Sequence, residues 1–292
     1  MANIFKNITV ALKGFLMGAA NVVPGVSGGT MALITGIYRD IVDALDSVME
    51  PATWKALLHG RFREFWKCVN GTFLLWLCIG VVASVFSLAK AVTVALENYP
   101  VHIWALFFGL IIASSLLMLR DIKGWGVKEV IFLIIGAALG LVVCNLSPTE
   151  TPDAYWFLFL CGAVSICTMI LPGISGSFVL VILGKYDYVM NAVSVLDIKA
   201  LAVFGAGCVV GILAFSKFLH YLLDHYQKAT MIVLLGFVLG SLVKVWPWAN
   251  EAARALPEPH YLAAAVWCVI GIAAVALIEY FNRKVGKNQN ID

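Results

Sequence analysis

Charge is what this sequence has least of. Only 13% of its 292 residues are Asp, Glu, Lys or Arg, against 62% that are hydrophobic, and a soluble domain carries about 25% charge. A chain this apolar cannot bury its side chains inside a water-soluble globule, so its outer face needs lipid as solvent. Trains of ten-residue alternating segments are also missing, which argues against a β-barrel. The seven cysteines form no CxxC pair and sit mostly in apolar runs, so they read as small buried residues rather than metal or redox ligands. No cofactor is expected, and nucleic acid is not an expected partner.

What the chain has instead is long apolar runs, at about 71–96, 101–119, 128–146, 200–223, 229–246 and 260–281. Each reaches or approaches the roughly 20 residues that a membrane-crossing helix needs. The opening segment has the lysine, apolar stretch and small residues of a signal peptide. Its Pro24-Gly25 pair recurs later in the chain, however, which assigns it to the fold. Residues 40–70 alternate charged and apolar positions, as an amphipathic helix pair at the cytoplasmic surface would.

The chain also repeats itself. NVVPGVSGGTMALITGIYRD, from Asn21 to Asp40, aligns without gaps on MILPGISGSFVLVILGKYDY, from Met169 to Tyr188. The alignment pairs Pro24 with Pro172, Gly25 with Gly173, Ser27 with Ser175, Gly28 with Gly176, Gly36 with Gly184 and Tyr38 with Tyr186. Upstream Gly14 falls opposite Gly162; downstream, after one length change, Gly80 falls opposite Gly211, Gly109 opposite Gly236 and Ser114 opposite Ser241. The reading is two related halves, 1–150 and 151–292, forming one transmembrane domain. Three long spans, within 71–146, separate the two Pro-Gly motifs. The apolar stretches beside them, 26–37 and 174–184, are too short to cross at 1.5 Å per residue. Each motif is therefore expected at the tip of a re-entrant hairpin, 5–38 and 155–185, and an odd number of crossings places the tips on opposite sides. That is an inverted-topology repeat: an all-α polytopic protein with two hairpins and about three spans per half, the last three within 200–281. Eight or more full crossings is the alternative. With this topology fifteen basic residues face the cytoplasm and five, Lys90, Lys185, Lys199, Lys244 and Arg254, face outward. That bias puts both termini inside.

No charged residue occurs from Gly14 to Tyr38 or from Ala154 to Gly184, yet each stretch carries a break in its helix pattern. Glycines allow close approach to the main chain, and a helix start offers free N–H groups that favour an anion. The candidate site residues are therefore Asn21, Gly25, Ser27, Gly28, Gly29 and Thr30 in the first motif, and Gly173, Ser175, Gly176 and Ser177 in the second. Just beyond stand Arg39 and Lys185, which either bind an anionic group or anchor the hairpins at the membrane surface, with Tyr38 and Tyr186 as belt aromatics. Asn21 has Met169 as its counterpart, so the two sites differ. Lys90 and Lys244 are expected to snorkel at the outer ends of their spans, and Glu279 to pair with Arg283.

NVVPGVSGGTMALITGIYRDIVDAL followed by LPGISGSFVLVILGKYDYV resembles the bacterial polyprenyl-phosphate transporters, a membrane family first catalogued as a domain of unknown function. The likeness covers nearly the whole chain. It implies a flippase in the bacterial cytoplasmic (inner) membrane that returns undecaprenyl phosphate from the outer to the inner leaflet for carrier-lipid recycling. The family's association with alkaline pH suggests coupling to a proton or sodium ion. A homo-oligomer is left open. Two other readings remain: a secondary transporter of a small anion or cation, and a membrane-embedded lipid pyrophosphate phosphatase. Against the enzyme, none of His59, His102, His220, His225 and His260 lies in a motif, and no nucleophile–base pair flanks the Ser-Gly tips.

Overall fold

A computed structural model of the protein describes residues 2–22, 27–48, 50–148, 151–249 and 260–288. In chain order its helices are α1 (Ala2–Val22), α2 (Gly28–Ile34), α3 (Tyr38–Ser47), α4 (Pro51–Leu58), α5 (Phe62–Cys68), α6 (Gly71–Asn98), α7 (Pro100–Asp121), α8 (Val127–Cys144), α9 (Tyr155–Ile170), α10 (Gly176–Ile182), α11 (Tyr186–Ser194), α12 (Ile198–His225), α13 (Gln227–Val245) and α14 (Tyr261–Asn288). No strand occurs among the described residues. Five helices, α6, α7, α8, α12 and α13, are long and apolar enough to cross a membrane, and the chain is a multi-pass membrane protein. The sixth expected span is also helical, but its described apolar part, Tyr261–Leu277, is shorter than the other five. Pro24, Gly25 and Arg254, and the side chains of Lys90, Glu279 and Arg283, lie outside the described residues.

The helices start where local chemistry allows. Pro100 opens α7 and Pro51 opens α4, at the position where a missing N–H costs nothing. Asp197 caps α12 by accepting from the N–H groups of Lys199 and Ala200. The region 40–70 forms three short helices rather than a pair, because Gly60 takes a left-handed φ of +71° between α4 and α5. Trp54, Leu58, Phe62 and Trp66 there are exposed, as suits a segment lying at an interface.

Helix pairing follows one scheme in both halves. Within each half the first helix lies along a long span, α1 on α6 and α9 on α12. Between halves, α7 lies along α14 and α8 along α13. Lipid tails give apolar helices little hydrophobic reason to associate, so close backbone contact through small residues takes over. The glycines that match in sequence make these contacts. A Cβ on Gly80 would stand 1.9 Å from the Ala11 carbonyl oxygen, and one on its counterpart Gly211 2.4 Å from that of Ala163. A Cβ on Gly109 would stand 2.2 Å from the Cys268 carbonyl oxygen, and one on Gly236 2.3 Å from that of Leu133.

Gly80→Ala is expected to lower stability by about 1–3 kcal/mol, because a backbone must move to admit the methyl group. Gly205→Ala, where a Cβ would meet nothing within 4 Å, is expected to be neutral or stabilising by about 0.5–1 kcal/mol through helix propensity. Thermal unfolding of the two purified variants in detergent checks the opposite signs.

Candidate functional site

Each motif stands between two helices that touch one another, α1 with α2 and α9 with α10. In the first, the Gly28 N–H donates to Asn21 Oδ1 at 2.8 Å, and Asp40 acts on the charge of Lys13. In the second, Ser165 Oγ donates to the Gly176 carbonyl at 2.9 Å, and further on the Lys185 ammonium lies 5.9 Å from the Phe157 ring. The short helices α2 and α10 have seven residues each and end alike. Gly36 and Gly184 adopt left-handed φ values of +73° and +62°. The next N–H then reaches back to close the helix, Ile37 to Ala32 at 3.0 Å and Lys185 to Leu180 at 2.9 Å. This is the Schellman arrangement, for which glycine is the residue of least strain.

The two breaks meet. The Gly173 N–H donates to Thr30 Oγ1 at 2.7 Å, and Ser27 Oγ donates to the Leu171 carbonyl at 3.2 Å. A Cβ on Gly29 would stand 2.6 Å from the Ile170 carbonyl oxygen. Ser27 and Thr30 are buried, because the chain of the other half covers them. Gly173 has a φ of +94°, a backbone that side-chain-bearing residues rarely adopt.

The breaks are nevertheless chemically unequal. Ser27 caps α2, accepting from the Gly29 N–H at 3.1 Å. Ser175 caps nothing; its hydroxyl bonds that of Ser177 at 2.7 Å, and Ser177 is exposed. Of the candidate residues, Asn21, Ser27, Gly28, Gly29, Thr30 and Gly173 thus gather at the junction, while Ser175, Gly176 and Ser177 border it.

Arg39 and Lys185 stand apart from that junction. Arg39 pairs with Asp224 and, at 3.6 Å, with Asp43. Lys185 is only 4% exposed and donates to Asp153 at 2.5 Å and to the Thr151 carbonyl at 3.0 Å. Tyr186 is exposed, but Tyr38 is not the belt aromatic expected of it. It is 3% exposed, with no hydrogen-bond partner for its hydroxyl among the described residues.

A polar cluster unforeseen in the sequence surrounds Arg39. His220 Nδ1 lies 2.9 Å from Asp43, and its Nε2 lies 3.1 Å from Asp224 and 3.7 Å from Asp46. The cluster ties α3 of the first half to the far end of α12 in the second. The equivalent α11 packs on α12 of its own half. The only hint in sequence is helical spacing, Arg39 with Asp43 and His220 with Asp224, each one turn apart. Two clefts of about 280 and 380 Å³ flank Lys228 at the start of α13, away from the motifs.

A family model for undecaprenyl phosphate translocase-like proteins matches residues 17–260. The chain belongs to that family. A polyprenyl-phosphate transporter of Vibrio cholerae serotype O1 is 42% identical over 82% of this chain and 78% of its own length. A polyprenyl-phosphate transporter of Staphylococcus aureus is 32% identical over 83% of this chain and 87% of its own. No solved structure matches. The family and these relatives are named for transport, not for catalysis.

Ser27→Ala is expected to cost about 1–3 kcal/mol, since it leaves buried backbone groups without their partner. Ser175→Ala, at a hydroxyl that caps nothing, is expected to leave stability within about 0.5 kcal/mol. Chemical denaturation of the two variants in the same detergent reads the difference.

Proposed function

We propose that the protein is a flippase that carries undecaprenyl phosphate from the outer to the inner leaflet of the bacterial cytoplasmic membrane, returning the carrier lipid for reuse. The observation that carries this reading is the junction of the two broken hairpins, Thr30 against Gly173, in a chain whose relatives are named polyprenyl-phosphate transporters. The phosphate is the part of such a lipid that cannot enter hydrocarbon unaided. The junction is packed shut in this structure; parting the two breaks exposes a polar seam of serines, threonine and glycine backbone as a path for the phosphate while the tail stays in lipid. Asn21, Ser27, Gly28, Gly29 and Thr30 supply one wall of the seam, and Gly173, Ser175, Gly176 and Ser177 the other.

In this reading the hairpins are re-entrant, the halves are an inverted repeat, and both termini are cytoplasmic. The fifteen-to-five basic-residue bias supports that sidedness, and the matched helix pairing supports the repeat. A proton or sodium gradient is the proposed driving force. The cluster of Arg39, Asp43, Asp46, His220 and Asp224 serves as the closed inner gate. It bridges the halves on the cytoplasmic side, whereas the corresponding helix, α11, packs on α12 of its own half. Half-exposed ion pairs are worth about 0.2–1 kcal/mol each, so a gate built from them opens readily.

In vesicles holding the purified protein, undecaprenyl phosphate should change leaflet, faster under an imposed proton or sodium gradient. Ser175→Ala should slow it at least tenfold with the fold intact. An empty-vesicle rate in the presence of wild-type protein refutes the flippase reading. For the gate, a cleavable bis-thiosulfonate tether between Asp43→Cys and His220→Cys should cut transport below a tenth of the untethered rate, and reduction should restore it. Full transport while tethered marks a static contact.

A further inference from the structure

We propose that Lys244 is the residue that receives the phosphate headgroup, at a site formed with Ser175 and Ser177 beside the second break. The inference rests on the flippase reading and names the charge that the reading lacks.

Of the cations near the two hairpins, Lys13 feels the charge of Asp40, and Arg39 and Lys185 are already neutralised. Arg39 is paired with Asp224 and Asp43. Lys185 is buried against Asp153 and the Thr151 carbonyl, a structural cation whose donors are in use. Lys244 differs. It is half-buried, and no carboxylate partner accompanies it among the described residues. Its ammonium sits 4.4 Å from the centroid of the Phe178 ring.

The surroundings suit an anion. An aromatic face holds an ammonium in place without cancelling its charge. Beside Phe178 lie Cys144, Ile174, Val179 and Phe237, an apolar wall that weakens solvent screening. Ser177, next to Phe178 in the chain, is exposed, and its hydroxyl meets that of Ser175. One turn before Lys244 on α13, Ser241 faces Gly173, where a Cβ would stand 2.7 Å from Ser241 Oγ. Helix α13 therefore lays Ser241 against the bend and Lys244 against the first turn of α10. The ammonium supplies donors with full charge, and the hydroxyl pair, one O–H of which is spent on the bond between them, supplies one further donor beside the break.

The repeat underlines the asymmetry. The register that matches Gly109 with Gly236 puts Leu117 opposite Lys244, so this cation belongs to one half alone. By the charge-based sidedness it stands at the outer end of α13, where the headgroup must first be caught. Val243 beside Lys244, and Val142 and Leu146 on either side of Cys144, are exposed and offer an apolar surface along which the polyprenyl tail leaves the site.

The test uses full-length protein in vesicles, with initial transport rates measured against the mole fraction of undecaprenyl phosphate. Lys244→Gln is expected to raise the half-saturating fraction at least tenfold at an unchanged thermal midpoint, while Lys244→Arg stays within threefold of wild type. Inorganic phosphate in molar excess over the lipid should not compete, since it lacks the tail; full competition points to a small-anion site and overturns the lipid assignment. Wild-type kinetics for Lys244→Gln overturn the role of Lys244, whereas an inactive wild-type protein overturns the flippase reading itself. Should Lys244→Gln fail to insert, Phe178→Leu, which removes the ring under the ammonium, is expected to weaken half-saturation at least threefold. No change in that variant sinks the proposal.

Discussion

A helix broken among apolar neighbours leaves N–H and C=O groups that cannot be left dry, and the rest of this structure depends on where they find partners. The first break is served from within its own half by Asn21 and Ser27. The second takes the hydroxyl of Thr30 from the other half, while Ser27 reaches across to the Leu171 carbonyl. The second half is thus incomplete at its most delicate point without the first. Glycine is required where this happens, because Gly173 adopts a left-handed φ with Ser241 where a side chain would go.

Much of the architecture was legible in the sequence because lipid imposes a simple rule on composition. The six apolar runs became helices with ends shifted by only a few residues for most of them, and the glycines that aligned between halves mark matching close contacts. The connector was less legible: Gly60 turns the chain with a left-handed φ, and one amphipathic stretch becomes separate helices. The unequal roles of Ser27 and Ser175 were hidden as well. Both occupy the same position in the same motif, and only the neighbours, Asn21 in one case and Ser177 in the other, direct one hydroxyl to a cap and leave the other at the surface.

The charged residues were the hardest to place. A cation near a motif reads the same in sequence whether it is spent on a carboxylate or free. Asp153 and Asp224 lie 32 and 185 residues from the cations they neutralise, beyond the reach of any local pattern. His220 lies outside the motifs, yet three aspartates surround it once α3 and α12 come together. Spacing along one helix hints at such clusters, but partners on a distant helix are a matter of tertiary packing.

The pairing of α7 with α14 and α8 with α13 has a bearing on biogenesis. During synthesis α7 and α8 enter the bilayer well before α13 and α14 exist, and their glycine-lined grooves must wait, facing lipid, for those helices. Helix α14 closes the groove on α7 at Gly109. The two halves are woven together rather than docked, so a ribosome that stops after the first half leaves an unfinished bundle for membrane quality control to recognise.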